Sequence, residues 1–328
     1  MRLLNFYYLV KPIIPQRVRL GLRHIRAVRL RRRFAGSWPI NEAASAIPTG
    51  WPGWPDGKKF AFVITHDVEG TTGMERCRAL AEMEIRLGFR SSFNFVPEGE
   101  YATPASLRSF LHEHNFEVGV HDLHHDGSLY RSDKTFREQA PRINQHLNAW
   151  HAVGFRAGFM FHNMQWLQSL NVLYDASTFD TDPFEPQPDG VNSIFPFWVP
   201  RSDGTGFVEL PYTLPQDSTL FLVLRERDNA IWKRKLDWVA EHGGLALVNV
   251  HPDYIAFDNR PGSSEYRVDL YRDFLEYVQT RYTGAAWLAL PRDVAQYFAH
   301  HRGTVRDADD AAHGAKAGDW SQRLAYGS

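Results

Sequence analysis

Ionisable side chains stand directly after several apolar runs of the sequence. Asp67 and Glu69 follow one run, and His121 and His125 follow another. Carboxylates and imidazoles bind divalent metals and carry protons, so this set is typical of a metal-dependent acid–base site. The other charged groups at run ends are Arg156, Asp175, Asp180, Asp182 and His251. Their coincidence favours a shared site more strongly than any single motif does.

The spacing of these groups suggests separate roles. His121 and His125 with one carboxylate would make an open divalent-metal site that keeps positions for water and substrate. In an extended chain Asp67 and Glu69 share a face, so one can bind the metal while the other acts as a base. His66 then points the other way, as a packed and hydrogen-bonded histidine would. Surface histidines after a strand are the alternative interpretation of His121 and His125.

Arg156 and His251 each allow two interpretations. Arg156 is flanked by apolar residues, where an unpaired guanidinium is costly to bury. We therefore expect a carboxylate partner for it, with Asp67 as the candidate, and a solvent-facing arginine is the alternative. His251 ends a strongly apolar run, where it is either a proton carrier or a neutral core histidine.

These groups can meet only if secondary-structure elements deliver them to one place. Between Lys58 and Arg302 short apolar runs alternate with amphipathic segments of helical period. The predicted strands are Lys59–Thr65, Ser92–Val96, Phe116–Val120, Val153–Arg156, Val172–Ser177, Leu245–Val250 and Ala286–Leu290. Repeated strand–helix units favour a parallel sheet closed as a distorted β/α barrel, in which the carboxyl ends of the strands meet on one face.

Three segments depart from this alternation. Ile194–Leu214 is rich in aromatic residues, Pro and Gly, and it predicts an irregular β insertion. Ser132 is a candidate N-cap of a helix that we expect Pro141 to kink or split. Gly303–Ser328 lacks apolar periodicity and predicts a disordered tail. The expected organisation is a basic N-terminal extension at 1–57, a catalytic barrel at 58–302 and a tail at 303–328.

The composition excludes several classes of protein. The chain has 328 residues, 43% hydrophobic and 23% charged, which is globular rather than fibrous or disordered. Its one cysteine, Cys77, excludes an intrachain disulfide framework and a site built from several thiolates. A formal net charge of −1 gives no general attraction to nucleic acid.

The charge is unevenly distributed, because residues 1–40 carry ten basic residues and no acidic one. The apolar stretch Leu3–Ile14 is too short to span a membrane, and arginines follow it where a signal-peptide cleavage site should be. We therefore expect a cytoplasmic protein. Arg17–Arg33 is expected either to lie as a basic helix on anionic lipid or an acidic partner, or to be solvated or docked locally.

The order of these motifs resembles the polysaccharide deacetylases, which form the NodB-homology group or carbohydrate esterase family four. The matching segments, in the order of the five family motifs, are Thr65–Glu69, His121–His125, Arg156, Tyr174–Ser177 with Asp180, and Leu247–Pro252. The match covers most of the chain between Lys59 and Ala299. The resemblance implies a distorted (β/α)7-type barrel and metal-dependent removal of acetyl groups from N-acetylated sugars.

The resemblance also implies a role for each matched residue. His121 and His125 would bind a divalent metal, with zinc expected first and cobalt, nickel or manganese as alternatives. Glu69 would complete the metal site, as in the D-x-E variant of the first motif. Asp67 would be the catalytic base, held by Arg156. Asp175 or Asp180 would orient His251, the general acid.

The sequence departs from the family pattern at two positions. Val68 stands where a second aspartate is usual, and Ala157 and Gly158 stand where proline is typical nearby. Three functions therefore stay open. The first is deacetylation of an N-acetylhexosamine-containing glycan or its precursor, the second is hydrolysis of a small amide as in allantoinase-like relatives, and the third is a non-catalytic module docked at a membrane. Trp166, Phe197 and Trp198 are candidates for stacking on a sugar.

Overall fold

The strands of the computed structural model, which describes residues 16–301, follow the predicted order. They are β1 (Phe60–Val68), β2 (Ser92–Phe95), β3 (Glu117–His121), β4 (Gly154–Arg156), β5 (Tyr174–Asp175), β6 (Phe197–Pro200), β7 (Gly206–Glu209), β8 (Leu245–Asn249), β9 (Ile255–Ala256), β10 (Tyr266–Arg267) and β11 (Ala286–Ala289). The helices are α1 (Gln16–Arg33), α2 (Thr71–Arg86), α3 (Ala105–Glu113), α4 (Asp133–Trp150), α5 (Met164–Leu167), α6 (Ala230–His242), α7 (Val268–Tyr282) and α8 (Pro291–His301). Helices thus separate most of the successive strands.

Nine of the strands form one curled sheet that is parallel except for β6, and β9 and β10 pair in a separate two-stranded sheet. β1 to β5 pair in chain order, β7 pairs with β5, and β8 pairs with the other edge of β1. The chain after β7 reaches β8, where the backbone N–H of Thr213 donates to the carbonyl of Leu247 at 3.1 Å. β11 lies beside the first half of β1, and β6 is antiparallel to β7. The expected distorted (β/α)7-type barrel is confirmed.

β1 shows why its sequence forms a central strand. Every residue from Phe60 to Val68 is buried. Helices cover the outer face of the sheet, and side chains from the other strands fill the interior of the barrel. Ala61 and Val63 pack in the core cluster that contains Tyr174 and Val208 on other strands, whereas Phe62 packs in the second cluster. This alternation of period two puts Asp67 on the same face as Ala61 and Val63.

Several local predictions can be compared with the structure. Ser132 caps α4, since its hydroxyl accepts from the backbone N–H of Thr135 at 3.1 Å. α4 runs without interruption through Pro141, so the expected split is wrong: the proline removes one backbone donor but the flanking turns keep theirs. The segment Ile194–Leu214 supplies β7, a strand of the barrel itself, in addition to the irregular β structure that was expected.

Part of the N-terminal extension packs on the barrel. Trp38 and Ala44 belong to one core cluster, and Trp54 belongs to the other. None of the helices between residues 16 and 301 is long and apolar enough to cross a bilayer. Residues 1–15 of the basic segment and the expected tail at 303–328 lie outside the described residues.

Candidate active site

The ends of β1 and β3 bring together three side chains that could hold a metal ion. One donor atom each from Glu69, His121 and His125 lies within 4.8 Å of the other two. The Oε1 atom of Glu69 is 3.4 Å from Nε2 of His125, and the two imidazole rings are 4.8 Å apart. The structure therefore brings together the three residues that the sequence singled out as metal ligands.

The hydrogen bonds of His121 leave one ring nitrogen free. Its Nδ1 lies 3.1 Å from the carbonyl oxygen of Arg156, and a carbonyl only accepts, so the proton is on Nδ1. The lone pair is then on Nε2, which is buried and has no hydrogen-bond partner among the described residues. Burial lowers the pKa of His121 to about 4. A neutral imidazole with a free Nε2 is the form that binds a metal.

The loop carrying His125 is held in an unusual backbone conformation. His125 has a φ of 51° and its ring stacks on Phe159 with ring centres 4.8 Å apart. A Cβ atom on Gly158 would lie 2.7 Å from Oδ2 of Asp122 and 3.0 Å from the His125 ring. A side chain at position 158 would therefore force Asp122 or the His125 ring to move, because the loop after β4 passes directly against the loop that carries His125.

Asp67 is a buried carboxylate with several donors around it. The side-chain amides of Asn94 and Asn249 donate to its two oxygens at 3.0 and 2.8 Å, and Nε of Arg156 lies 3.6 Å away. Burial favours the neutral acid, but the positive charge of Arg156, together with His251 and the hydrogen bond from Asn94, outweighs it and lowers the pKa of Asp67 to about 2. The side chain is thus ionised at neutral pH and able to accept a proton.

Arg156 is fully buried beside this carboxylate. It is 0% exposed, and its three guanidinium nitrogens have no hydrogen-bond partner among residues 16–301. An uncompensated buried charge is costly. The Asp67 carboxylate supplies the negative charge that compensates Arg156. The solvent-facing alternative is excluded, and the expected pairing of Arg156 with Asp67 is present.

His251 faces the candidate metal cluster from the end of β8. Its Nε2 lies 3.8 Å from Oε1 of Glu69, and its Nδ1 donates to Oδ1 of Asp217 at 2.6 Å. Oδ2 of Asp217 accepts from the backbone N–H of His251 and from the hydroxyl of Tyr266. Burial lowers the pKa of His251, but the charge and hydrogen bond of Asp217 raise it to about 10. His251 is therefore protonated at neutral pH with an N–H on Nε2.

Asp217 is the residue that the sequence interpretation missed. Asp175 instead accepts from Ser177 at 2.7 Å, and Asp180 forms a buried ion pair with Lys235. The expectation that Asp175 or Asp180 orients His251 is therefore wrong. The sequence does contain a signal for Asp217. This residue closely follows the apolar run that ends at Leu214, just as the other site residues follow apolar runs.

Two further residues support Glu69. The Tyr254 hydroxyl donates to Oε2 of Glu69. The Asp253 carboxylate accepts from the backbone N–H groups of Glu69 and Gly70 at 2.9 and 2.8 Å. The segment after His251 thus fixes both the side chain and the backbone of the candidate metal ligand. Spacing alone could not indicate these contacts, because β1 and β8 are far apart in sequence.

Phe159, an aromatic side chain that the sequence did not suggest, contacts the candidate metal cluster. Trp166 packs against Tyr130 and Phe136 in the core, so sugar stacking by this residue is not supported. Phe159, which is partly exposed, stacks directly on His125. An apolar ring therefore flanks one of the two candidate metal-ligand histidines.

Solved structures share this fold. A protein from Mycobacterium smegmatis that is provisionally named a polysaccharide deacetylase matches with a TM-score of 0.59 and 19% identity, over 78% of this chain and 95% of that chain. A Pseudomonas aeruginosa PAO1 protein with the same provisional name matches at 0.55 and 15%, over 76% and 94%. Puue allantoinase matches at 0.56 and 14%, over 78% and 95%.

Sequence comparisons add nothing to this result. No protein-family model matches the chain, and no curated protein matches it significantly. The three structural matches cover nearly the whole of each neighbour, so the likeness extends over a complete domain. The resemblance to the polysaccharide deacetylases is therefore confirmed at the level of the fold.

Proposed function

We propose that this protein is a metal-dependent hydrolase that removes acetyl groups from the nitrogen of an N-acetylhexosamine, in a glycan or a glycan precursor. The observation that carries the proposal is the arrangement of a base and an acid around one metal-binding cluster. Asp67 is ionised on one side, and His251 is protonated on the other, 3.8 Å from Glu69. A base, an acid and a bound metal are the groups that metal-assisted amide hydrolysis uses.

The donor set fits a divalent metal. The Nε2 atoms of His121 and His125 are buried without hydrogen-bond partners among the described residues, and Glu69 supplies the carboxylate that Val68 cannot. Two imidazoles and one carboxylate suit zinc, with cobalt, nickel and manganese as alternatives. A divalent cation held there supplies Lewis-acid activation of water and of the amide carbonyl.

The chain's own residues move the protons of the reaction. Asp67 accepts a proton from the water whose oxygen attacks the acetyl carbon, and Arg156 keeps that carboxylate ionised and oriented. His251 donates the Nε2 proton to the amide nitrogen as the C–N bond breaks, and Asp217 holds the ring. The products are acetate and a free amino sugar.

Hydrolysis of a small amide is the second candidate. Puue allantoinase has the same fold with a TM-score of 0.56, close to the 0.59 and 0.55 of the two structures with deacetylase names. The fold alone therefore does not separate the substrates. Acetate release from N-acetylated sugars and oligosaccharides, compared with amine or ammonia release from small amides and ureides, separates them.

The experiment uses the full chain reconstituted with zinc. We expect acetate release from an N-acetylhexosamine substrate and a loss of about 10²–10⁴-fold in kcat for Asp67→Asn and for His251→Ala. Asp273→Asn is the matched control, since this carboxylate is exposed on α7. Undiminished turnover in the two site variants would refute the proposal. Absence of bound metal and of any amidase activity would favour a non-catalytic module.

A further inference from the structure

Helix α1 has one face that is fixed to the body of the protein. Ala27 is only 2% exposed, and Nδ1 of His24 donates to the carbonyl of Val223 at 2.8 Å. Arg31 forms an ion pair with Glu226. These contacts hold the helix against the segment at 218–226, so α1 packs as an integral part of the domain.

The opposite face of α1 combines exposed apolar and basic side chains. Leu22 is 58% exposed and Ile25 is 51% exposed, and both are among the few large apolar residues that reach solvent in the described chain. Arg26, Arg29 and Arg33 are exposed as well. Because residues three and four apart lie on the same side of a helix, these five side chains form one continuous strip. We call it the outer face of α1.

Among residues 16–301, no carboxylate is paired with the arginines of the outer face. No described carboxylate forms an ion pair with Arg26 or Arg29, whereas Arg31 on the inner side has Glu226. All 38 acidic residues lie after position 41, so the chain is strongly polarised between this helix and the rest.

The mixture of side chains indicates the kind of partner. Arginines alone would suit any polyanion, but two exposed aliphatic side chains gain free energy only where they can leave water. The interface of an anionic bilayer offers phosphates for the arginines and an apolar layer for Leu22 and Ile25. We propose that the outer face of α1 binds peripherally to anionic phospholipid bilayers and holds the whole domain at the membrane surface.

The test measures binding of the full chain to vesicles by co-sedimentation. We expect binding to phosphatidylcholine vesicles that contain phosphatidylglycerol, little binding to phosphatidylcholine alone, and weakening by salt. At about 1 kcal/mol per arginine near the surface, Arg26→Gln with Arg29→Gln should lose roughly 30-fold in affinity. Leu22→Gln with Ile25→Gln should lose at least about tenfold, since full burial of an aliphatic side chain contributes about 1.5–3 kcal/mol and these two side chains have only about half of their surface left to bury.

Matched controls separate this effect from a change of net charge or of fold. Arg137→Gln with Arg272→Gln removes the same charge from α4 and α7 and should bind vesicles like the unaltered protein. Acetate release from a soluble substrate should be the same in all variants, so the outcome is independent of the proposed function. Equal binding to both kinds of vesicle, or binding unchanged by both outer-face pairs, would overturn the proposal. So would tight binding to an oligonucleotide or acidic polypeptide that ignores Leu22 and Ile25.

Discussion

Asp217 and His251 form the pair whose charges matter most for proton donation. The carboxylate contacts both the ring and the backbone of the histidine, and this contact is the main cause that raises the pKa of His251 to about 10. Asp217→Asn removes the charge, so the pKa of His251 should fall towards its ordinary value. The alkaline limb of the kcat/KM profile should therefore move from near pH 10 towards neutral pH.

This prediction is checked by pH–rate profiles of the purified variants. Tyr266→Phe is the control, because it removes a donor to Asp217 but leaves the negative charge beside His251. Its alkaline limb should stay close to that of the unaltered protein. An Asp217→Asn profile that loses amplitude without moving its limb would show that Asp217 has only a structural role.

Tyr254 is expected to tune the candidate metal site through Glu69. Its hydroxyl donates to Oε2, while Oε1 faces His125. Tyr254→Phe should lower zinc affinity by about 10–100-fold, since a partner of this kind orients the ligand. Competition with a zinc chelator measures the change. Tyr277→Phe is the matched control, because its hydroxyl donates to Asp237 instead; an equal loss in both variants would contradict the prediction.

At the scale of elements, the strand-end pattern accounts for most of the site. The apolar run ending at Thr65 correctly predicted a strand that delivers Asp67 and Glu69, and the run ending at Val120 did the same for His121. What the sequence could not indicate was pairing across the chain. Asp217 reaches His251 only because the chain after β7 hydrogen-bonds to β8, a contact set by barrel closure and not by local spacing.

The start of β4 is a place where the packing of elements fixes the residue type. A Cβ atom on Gly154 would overlap the ring of Tyr174 on the neighbouring β5. Gly154→Ala should therefore destabilise the fold by about 1–3 kcal/mol through overpacking. Urea unfolding measures the loss. Gly36→Ala is the matched control, since nothing lies within 4 Å of its added methyl; if both variants unfold alike, the packing argument fails.

At the scale of the whole molecule, both ends of the barrel hold buried titratable groups. The carboxyl ends of the strands hold ionised Asp67 and protonated His251. Glu117, at the start of β3, is buried and accepts from the Tyr174 hydroxyl at 2.8 Å and the Arg292 N–H at 3.1 Å. Burial raises the pKa of Glu117 from 4.5 to about 7. This group therefore links stability to pH at a distance from the chemistry.

The sign of that linkage follows from the two pKa values. Below about pH 4.5 Glu117 is protonated in both the folded and the unfolded chain, and its contribution to stability is fully present. As the pH rises towards 7 the unfolded chain ionises first, so this contribution is lost. Glu117→Gln cannot ionise. The difference in the free energy of unfolding, variant minus unaltered protein, should therefore increase by roughly 3 kcal/mol between pH 4.5 and 7.

Urea unfolding of both proteins across this range measures the difference, which is independent of the shared titration of all other groups. In Glu117→Gln the new side-chain amide has one oxygen, which can still accept from Tyr174, but its nitrogen cannot accept from the Arg292 N–H. The lost hydrogen bond should lower the stability of the variant by the same amount at every pH. Only the pH dependence of the difference in the free energy of unfolding therefore reports the ionisation of Glu117. Glu113→Gln, which removes an exposed carboxylate of α3, is the matched control. Parallel pH dependences for Glu117→Gln and the unaltered protein would mean that Glu117 is already ionised in the folded barrel.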